Sequence, residues 1–124
     1  MCGIIGIHSL DVSNTQIVQN ILEGLICLQH RGQDSVGIAN ESQVIKKVGL
    51  VKSAFQQEEL DQMVSRCCIG HVRYATNGVQ DGIQPLYSTY PRRITLCHNG
   101  NIVNTDVLRQ LLKDEYNMVV KTNS

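Results

Sequence analysis

Apolar residues follow two rhythms along this chain. Residues 2–9 set Ile4, Ile5 and Ile7 among Gly3 and Gly6, a weak alternation that predicts a buried first strand. After the turn residues Asp11-Val12-Ser13-Asn14 the spacing widens to three or four, through Ile17, Val18, Ile21, Leu22, Leu25, Ile26 and Leu28. That period predicts an amphipathic helix to about Gln29, packed on a sheet and opened by a capping box of Ser13 with Gln16. Cys27 falls inside the apolar set and reads as core. Residues 35–40 and 43–49 flank Asn40-Glu41-Ser42 and predict a hairpin, with Lys46 and Lys47 facing solvent at an edge. A shorter helix is expected from Gln56 to Ser65, with Leu60, Met63 and Val64 inward. Residues 67–74 then read as a strand whose neighbouring Cys67 and Cys68 point to opposite faces. Pro85–Thr89 and Arg93–His98 pair around Tyr90-Pro91-Arg92. Asn104 or Thr105 caps a helix that turns Val107, Leu108, Leu111 and Leu112 inward, and Met118–Val120 forms a last strand.

The resulting order, β-α-β-β-α-β-β-β-α-β, predicts an α+β domain of antiparallel sheets covered by helices. A chain of 124 residues is enough for one domain with its own core. No repeat, low-complexity segment or linker divides it, and the final strand has no closing element, so the chain reads as cut short.

Composition mostly excludes. A formal net charge of zero and 18% charged residues offer no basis for nucleic acid or a membrane surface as partner. No apolar run approaches the ~20 residues of a membrane span, and the N-terminus lacks the basic start of a secretory signal. The cysteines number five, Cys2, Cys27, Cys67, Cys68 and Cys97, without a C-x-x-C pair. The histidines lack zinc-ligand spacing. These features predict a cytoplasmic protein with free thiols and no metal, four of the cysteines being small core residues.

The polar stretches carry the candidate chemistry. If Met1 is removed, Cys2 presents a thiol and a free α-amino group on one residue, and an adjacent N-terminal amine can activate such a nucleophile. A chance cysteine in a buried strand is the plainer alternative. His30 and Arg31 sit where cations suit a helix C-terminus, with Gly32 as its cap. The remaining string, Gln33-Asp34-Ser35, buries poorly as a loop and suggests a site or its scaffold. Residues 74–84 form a polar loop of the kind that closes over ligands. Asn99-Gly100 offers a side-chain amide and an exposed N–H, suited to an oxyanion hole, or it is an ordinary hairpin turn. Arg73 is a carboxylate fork or half of an internal ion pair, and His71 a base or a structural histidine. Together, Cys2, Arg73 and Asn99-Gly100 suit a small amide that carries an α-carboxylate. Glutamine is one such amide.

Four motifs in order resemble the class II glutamine amidotransferase domain, a member of the N-terminal-nucleophile hydrolases. They are Met1-Cys2-Gly3-Ile4, Leu28-Gln29-His30-Arg31-Gly32-Gln33-Asp34-Ser35, Gly70-His71-Val72-Arg73-Tyr74-Ala75-Thr76 and His98-Asn99-Gly100-Asn101, spanning almost the whole chain. The His-Arg-Gly-Gln-Asp and Arg-Tyr-Ala-Thr strings favour the purine-synthesis branch. The sugar-amidating branch, glucosamine-6-phosphate synthase, reads Tyr-Arg-Gly-Tyr-Asp and Arg-Trp-Ala-Thr there and is the alternative within the family.

The resemblance implies a partial four-layer α-β-β-α sandwich. It implies that Cys2 forms a glutamyl thioester and releases ammonia, its α-amino group moving the protons. Asn99 and Gly100 would form the oxyanion hole, while Arg73 and Thr76 would bind L-glutamine. His30, Arg31, Gly32 and Gln33 would pack behind the nucleophile. The ammonia acceptor would be a phosphoribosyltransferase domain that residues 1–124 do not contain, in a protein that is a homo-oligomer at full length. No cofactor is implied for this part; full enzymes of the branch use Mg with phosphoribosyl pyrophosphate, and some carry an iron–sulfur cluster. In the family Thr-x-Ser runs on into Asp-Ser-Glu, whereas this chain ends at Thr122-Asn123-Ser124. The Asp that would hold the glutamine α-amino group is therefore expected beyond it, and the isolated 124 residues are expected to turn over little glutamine, as a catalytically incompetent remnant also would.

Overall fold

Four antiparallel strands form the main sheet: β1 (Gly3–His8), β2 (Ser35–Asn40), β3 (Val44–Val48) and β4 (Cys67–Arg73). Their order is β1-β4-β2-β3, so β2 and β4 are central and the other two are edges. A computed structural model describes residues 1–11, 16–74 and 82–120. Helix α1 (Ile17–Leu28) covers one face of the sheet. Ile17, Val18, Ile21, Leu22 and Leu25 are buried at helical spacing and meet Val36, Ile38, Cys68 and Val72 in a single core. The helix lies close because β4 has no side chain at Gly70: a Cβ there would stand 2.8 Å from Leu25 Cδ1 and 2.9 Å from Ile21 Cγ2. Short helices α2 (Val51–Ala54) and α3 (Gln57–Asp61) complete that layer, Val51 and Met63 being fully enclosed. Strands β5 (Leu86–Ser88) and β6 (Ile94–Leu96) pair as a separate hairpin, and α4 (Thr105–Tyr116) follows.

Several expectations change. β1 is a half-buried edge strand rather than a buried one: its Ile5 and Ile7 pack on the core, while Ile4, Gly6 and His8 are exposed. Cys27 is exposed, because two residues beyond Leu25 is about 200° round the helix from the buried stripe. Of the other cysteines Cys68 is buried, Cys67 and Cys97 are half-buried, and all are free thiols. The helix expected at 56–65 shortens to α3, Gln57–Asp61, with α2 lying before it, and Val64 falls past its end, 75% exposed. Gln56 and Glu59 form the capping box of α3. Ser13, the expected cap of α1, lies outside the described residues. Helix α4 buries no residue fully, so Val107, Leu108 and Leu111 are exposed rather than inward, with Leu112 half-buried. Asn117 ends it in a left-handed turn, where Asn117 N–H bonds Lys113 O and Met118 N–H bonds Leu112 O. Met118–Val120 continues as irregular chain, not as a strand.

Candidate active site

Cys2 stands at the open edge of the sheet, just before β1. Gly3 pairs with Val72, so the next step of the register sets Cys2 opposite Arg73. Strand alternation turns both side chains away from α1, onto the face that also carries His71. Two side chains from distant segments then fix the Cys2 main chain. Arg31 Nε donates to Cys2 O at 3.0 Å, and Cys2 N donates to Asn99 Oδ1 at 3.3 Å. With Met1 attached, that nitrogen is a peptide N–H and stands in for the α-amino group that excision would free. Because Oδ1 of Asn99 accepts from Cys2, the amide nitrogen of the same side chain is left as a donor, the group an oxyanion needs.

Arg31 reaches Cys2 from a 3-10 turn, Gln29–Arg31, that closes α1. Gln29 secures this turn: its Nε2 donates to Gly32 O at 2.5 Å and its Oε1 accepts from Val51 N at 2.7 Å. Gly32 caps this 3-10 turn, its N–H bonding Gln29 O at 3.2 Å, rather than α1 itself. Its backbone is extended, and the cap of α1 is Gln29. The reason for glycine is proximity, since a Cβ would come within 2.5–2.8 Å of the Arg73 backbone. Asp34 N–H bonds Arg73 O at 3.1 Å and continues that seam. His30 is exposed, with Nδ1 2.9 Å from Cys27 O, as a histidine at a helix end would be. Gln33 is exposed.

His71 is fully enclosed in β4. Its Nε2 lies 3.3 Å from His98 O, while Nδ1 has no partner among the described residues. Burial holds its pKa down to about 4, so the ring is neutral and Nε2 carries the proton to the carbonyl. It is a structural histidine and not a base at Cys2. Burial also pushes the Cys68 and Cys97 thiols up to about 12, which keeps both protonated and unreactive. Asn99-Gly100 is not a hairpin turn. It follows the end of β6 as an exposed bend, with nothing within 4 Å of where a Gly100 Cβ would lie. Thr76 and most of the 74–84 loop lie outside the described residues. Sequence reasoning missed Gln29 and Gln84 as scaffold. Gln29 stood inside a recognised string, but a buried glutamine 14 positions from its partner, as with Gln84 Oε1 and His98 N, leaves no periodic mark.

Cys2, Arg31 and Asn99 therefore converge, with Arg73 across the register. The fold is α+β, with antiparallel sheets, a partial four-layer α-β-β-α sandwich of the N-terminal-nucleophile hydrolase type, and the chain resembles a class II glutamine amidotransferase domain. Within that class the chain is similar to the N-terminal quarter of the amidophosphoribosyltransferases. It is 38% identical over 130 residues to the enzyme of Pseudomonas aeruginosa, covering 100% of this chain and 25% of that protein. Identity is 40% to the Escherichia coli enzyme and 40% to that of Schizosaccharomyces pombe, covering 25% and 24% of those proteins. Among solved structures it matches the allosteric regulatory enzyme of purine biosynthesis, with a TM-score of 0.78 and 35% identity over 96% of this chain and 26% of that one. It also matches glutamine phosphoribosylpyrophosphate amidotransferase from B. subtilis complexed with ADP and GMP, with a TM-score of 0.75 and 35% identity over 98% of this chain and 26% of that one. No protein-family profile matches the chain.

Proposed function

We propose that this chain is the glutamine-hydrolysing part of an amidophosphoribosyltransferase, acting at the committing step of purine synthesis. The observation that carries the reading is the pair of bonds on Cys2, from Arg31 to its carbonyl and from its nitrogen to Asn99. A nucleophile whose nitrogen touches the same amide that can donate to an oxyanion is built for acyl transfer.

After Met1 is excised, the Cys2 α-amine takes the thiol proton and the sulfur attacks the glutamine side-chain carbonyl. Charge develops on the carbonyl oxygen, where Asn99 Nδ2 and the Gly100 N–H receive it. The α-amine returns its proton to the leaving nitrogen, the C–N bond breaks, and ammonia departs from a Cys2 γ-glutamyl thioester. Water, deprotonated by the same amine, cleaves the thioester to glutamate and restores the thiol. Arg73 binds the α-carboxylate as a bidentate fork, with Thr76 contributing from the closing loop. Arg31 holds the Cys2 main chain and touches no reacting atom. The ammonia passes to a phosphoribosyltransferase domain, in a cytoplasmic homo-oligomer. No helix among the described residues is long and apolar enough to cross a membrane. Among the described residues no group of three or more His, Cys, Asp or Glu side chains could hold a metal ion, and no step here uses one.

A glutamine-mimicking diazoketone tests the reading, applied to the protein expressed from its full coding sequence. One equivalent should attach to Cys2, and Cys2→Ala should abolish both labelling and ammonia release from glutamine. Labelling of the Cys2→Ala protein at the same level would refute the assignment.

A further inference from the structure

His98 is gripped by both of its main-chain polar groups. Gln84 Oε1 accepts from His98 N at 2.6 Å, and His71 Nε2 donates to His98 O at 3.3 Å. Both gripping side chains are interior, His71 at 0% and Gln84 at 6% exposure, whereas Asn99 is exposed. Their meeting is built into the sheet. His71 on β4 faces Gly37 on β2 in the register. A Cβ on Gly37 would strike the Gln84 carbonyl and come within 2.8 Å of the Pro85 ring. The missing side chain thus lets Gln84-Pro85 lie flat on the sheet beside His71, and from there the two side chains reach the same residue. The His98 carbonyl shares a rigid peptide plane with the Asn99 N–H. Fixing that plane fixes where the Asn99 side chain starts, and Asn99 Oδ1 is what meets Cys2 N.

We propose that His71 and Gln84 are positioning residues that clamp the His98–Asn99 main chain and so aim the Asn99 amide at the nucleophile and its oxyanion. The assignment rests on the reading of Cys2 as an amide-cleaving nucleophile. Neither residue touches glutamine or a reacting atom. Their effect belongs to the transition state, because only there does charge build on the oxygen that Asn99 serves.

The test uses the protein expressed from its full coding sequence. His71→Leu and Gln84→Met each remove one grip at similar volume. Each should lower kcat for glutamine hydrolysis about 10- to 100-fold, as a misplaced oxyanion donor does. KM for glutamine should stay within about 3-fold, as expected when only transition-state stabilisation is lost. Alkylation of Cys2 by iodoacetamide, a displacement that forms no oxyanion, should proceed at the wild-type rate. His71→Gln keeps an Nε2 donor and Gln84→Glu keeps the acceptor, so both should regain most of the activity. Three results would overturn the clamp: kcat unchanged in both loss variants, alkylation falling in step with hydrolysis, or no recovery in the conservative pair. Should His71→Leu fail to fold, Gln84→Met decides alone. Wild-type protein that releases no ammonia from glutamine would instead sink the reading of Cys2. Active wild type with equally active variants sinks only the clamp.

Discussion

A neutral imidazole in the middle of β4 makes stability depend on acid. Burial is the main cause of the low His71 pKa, and electrostatic repulsion from the neighbouring His98 and Arg73 side chains pushes the same way, against the raising effect of the bond to His98 O. In the unfolded chain the ring titrates near ~6.5, so between there and about 4 the unfolded state binds the extra proton. The contribution of His71 is therefore complete above ~6.5 and is lost as pH falls towards about 4. The His71→Gln protein cannot take that proton and should show a shallower acid limb. Urea midpoints measured from neutral pH downward check this, and parallel limbs in the two proteins would contradict it. The residues of the site differ in how far sequence alone reveals them. Cys2, Arg31 and Asn99 lie in polar strings that stand out in the sequence, though each also has a plain structural reading until the fold brings them together. Gly32 reads from sequence as a cap, and it does cap the 3-10 turn, but its extended backbone and its closeness to Arg73 are facts of tertiary packing. His71 and Gln84 act on a residue 27 and 14 positions away, and no local pattern encodes such a meeting.

Elements were legible where a period ran long enough to have one solution. The stripe from Ile17 to Leu25 permits only a helix with one buried face, and the paired strands β2 and β3 follow from their turn residues. Periodicity does not say whether a face finds a partner. Helices α1 and α4 are both twelve residues long and both amphipathic, but only α1 meets the sheet along its whole stripe. The difference should appear directly in stability. Leu25→Ala empties a fully enclosed position and should cost about 2–5 kcal/mol. Leu108, 39% exposed on α4, should cost less than about 1 kcal/mol when truncated to alanine. Denaturant unfolding of the two variants compares them, and equal losses would mean that α4 is packed far more tightly than its exposure indicates. Met118–Val120 fails as a strand for a related reason, since β propensity counts only where a neighbouring strand takes up the backbone groups.

At the scale of the whole molecule, enclosed and open apolar surface are unevenly shared. The half built from α1 and the main sheet gathers most of its large apolar residues around one core. In the half built from β5, β6 and α4, Ile94, Leu96, Val107 and Leu111 stand between 42% and 66% exposed, and Ile102 and Val103 lie beside them in the chain at 59% and 96%. So much exposed apolar surface exceeds what scattered residues on a monomer usually present, and it promotes association or contact with another layer of protein. The chain spans about a quarter of the length of the curated relatives it matches. Expressed as these 124 residues alone, it should therefore self-associate at micromolar concentration and bind a hydrophobic dye. Val107→Glu with Leu111→Gln should suppress both effects while changing unfolding stability by no more than about 1 kcal/mol, because neither side chain fills the core. Sedimentation velocity and dye fluorescence on the two forms make the measurement. If the unaltered chain sediments as a single monomer without binding dye, the exposed surface must fold back on the main sheet in solution. The double variant would then lose stability instead of gaining solubility, so the same pair of substitutions separates the two outcomes.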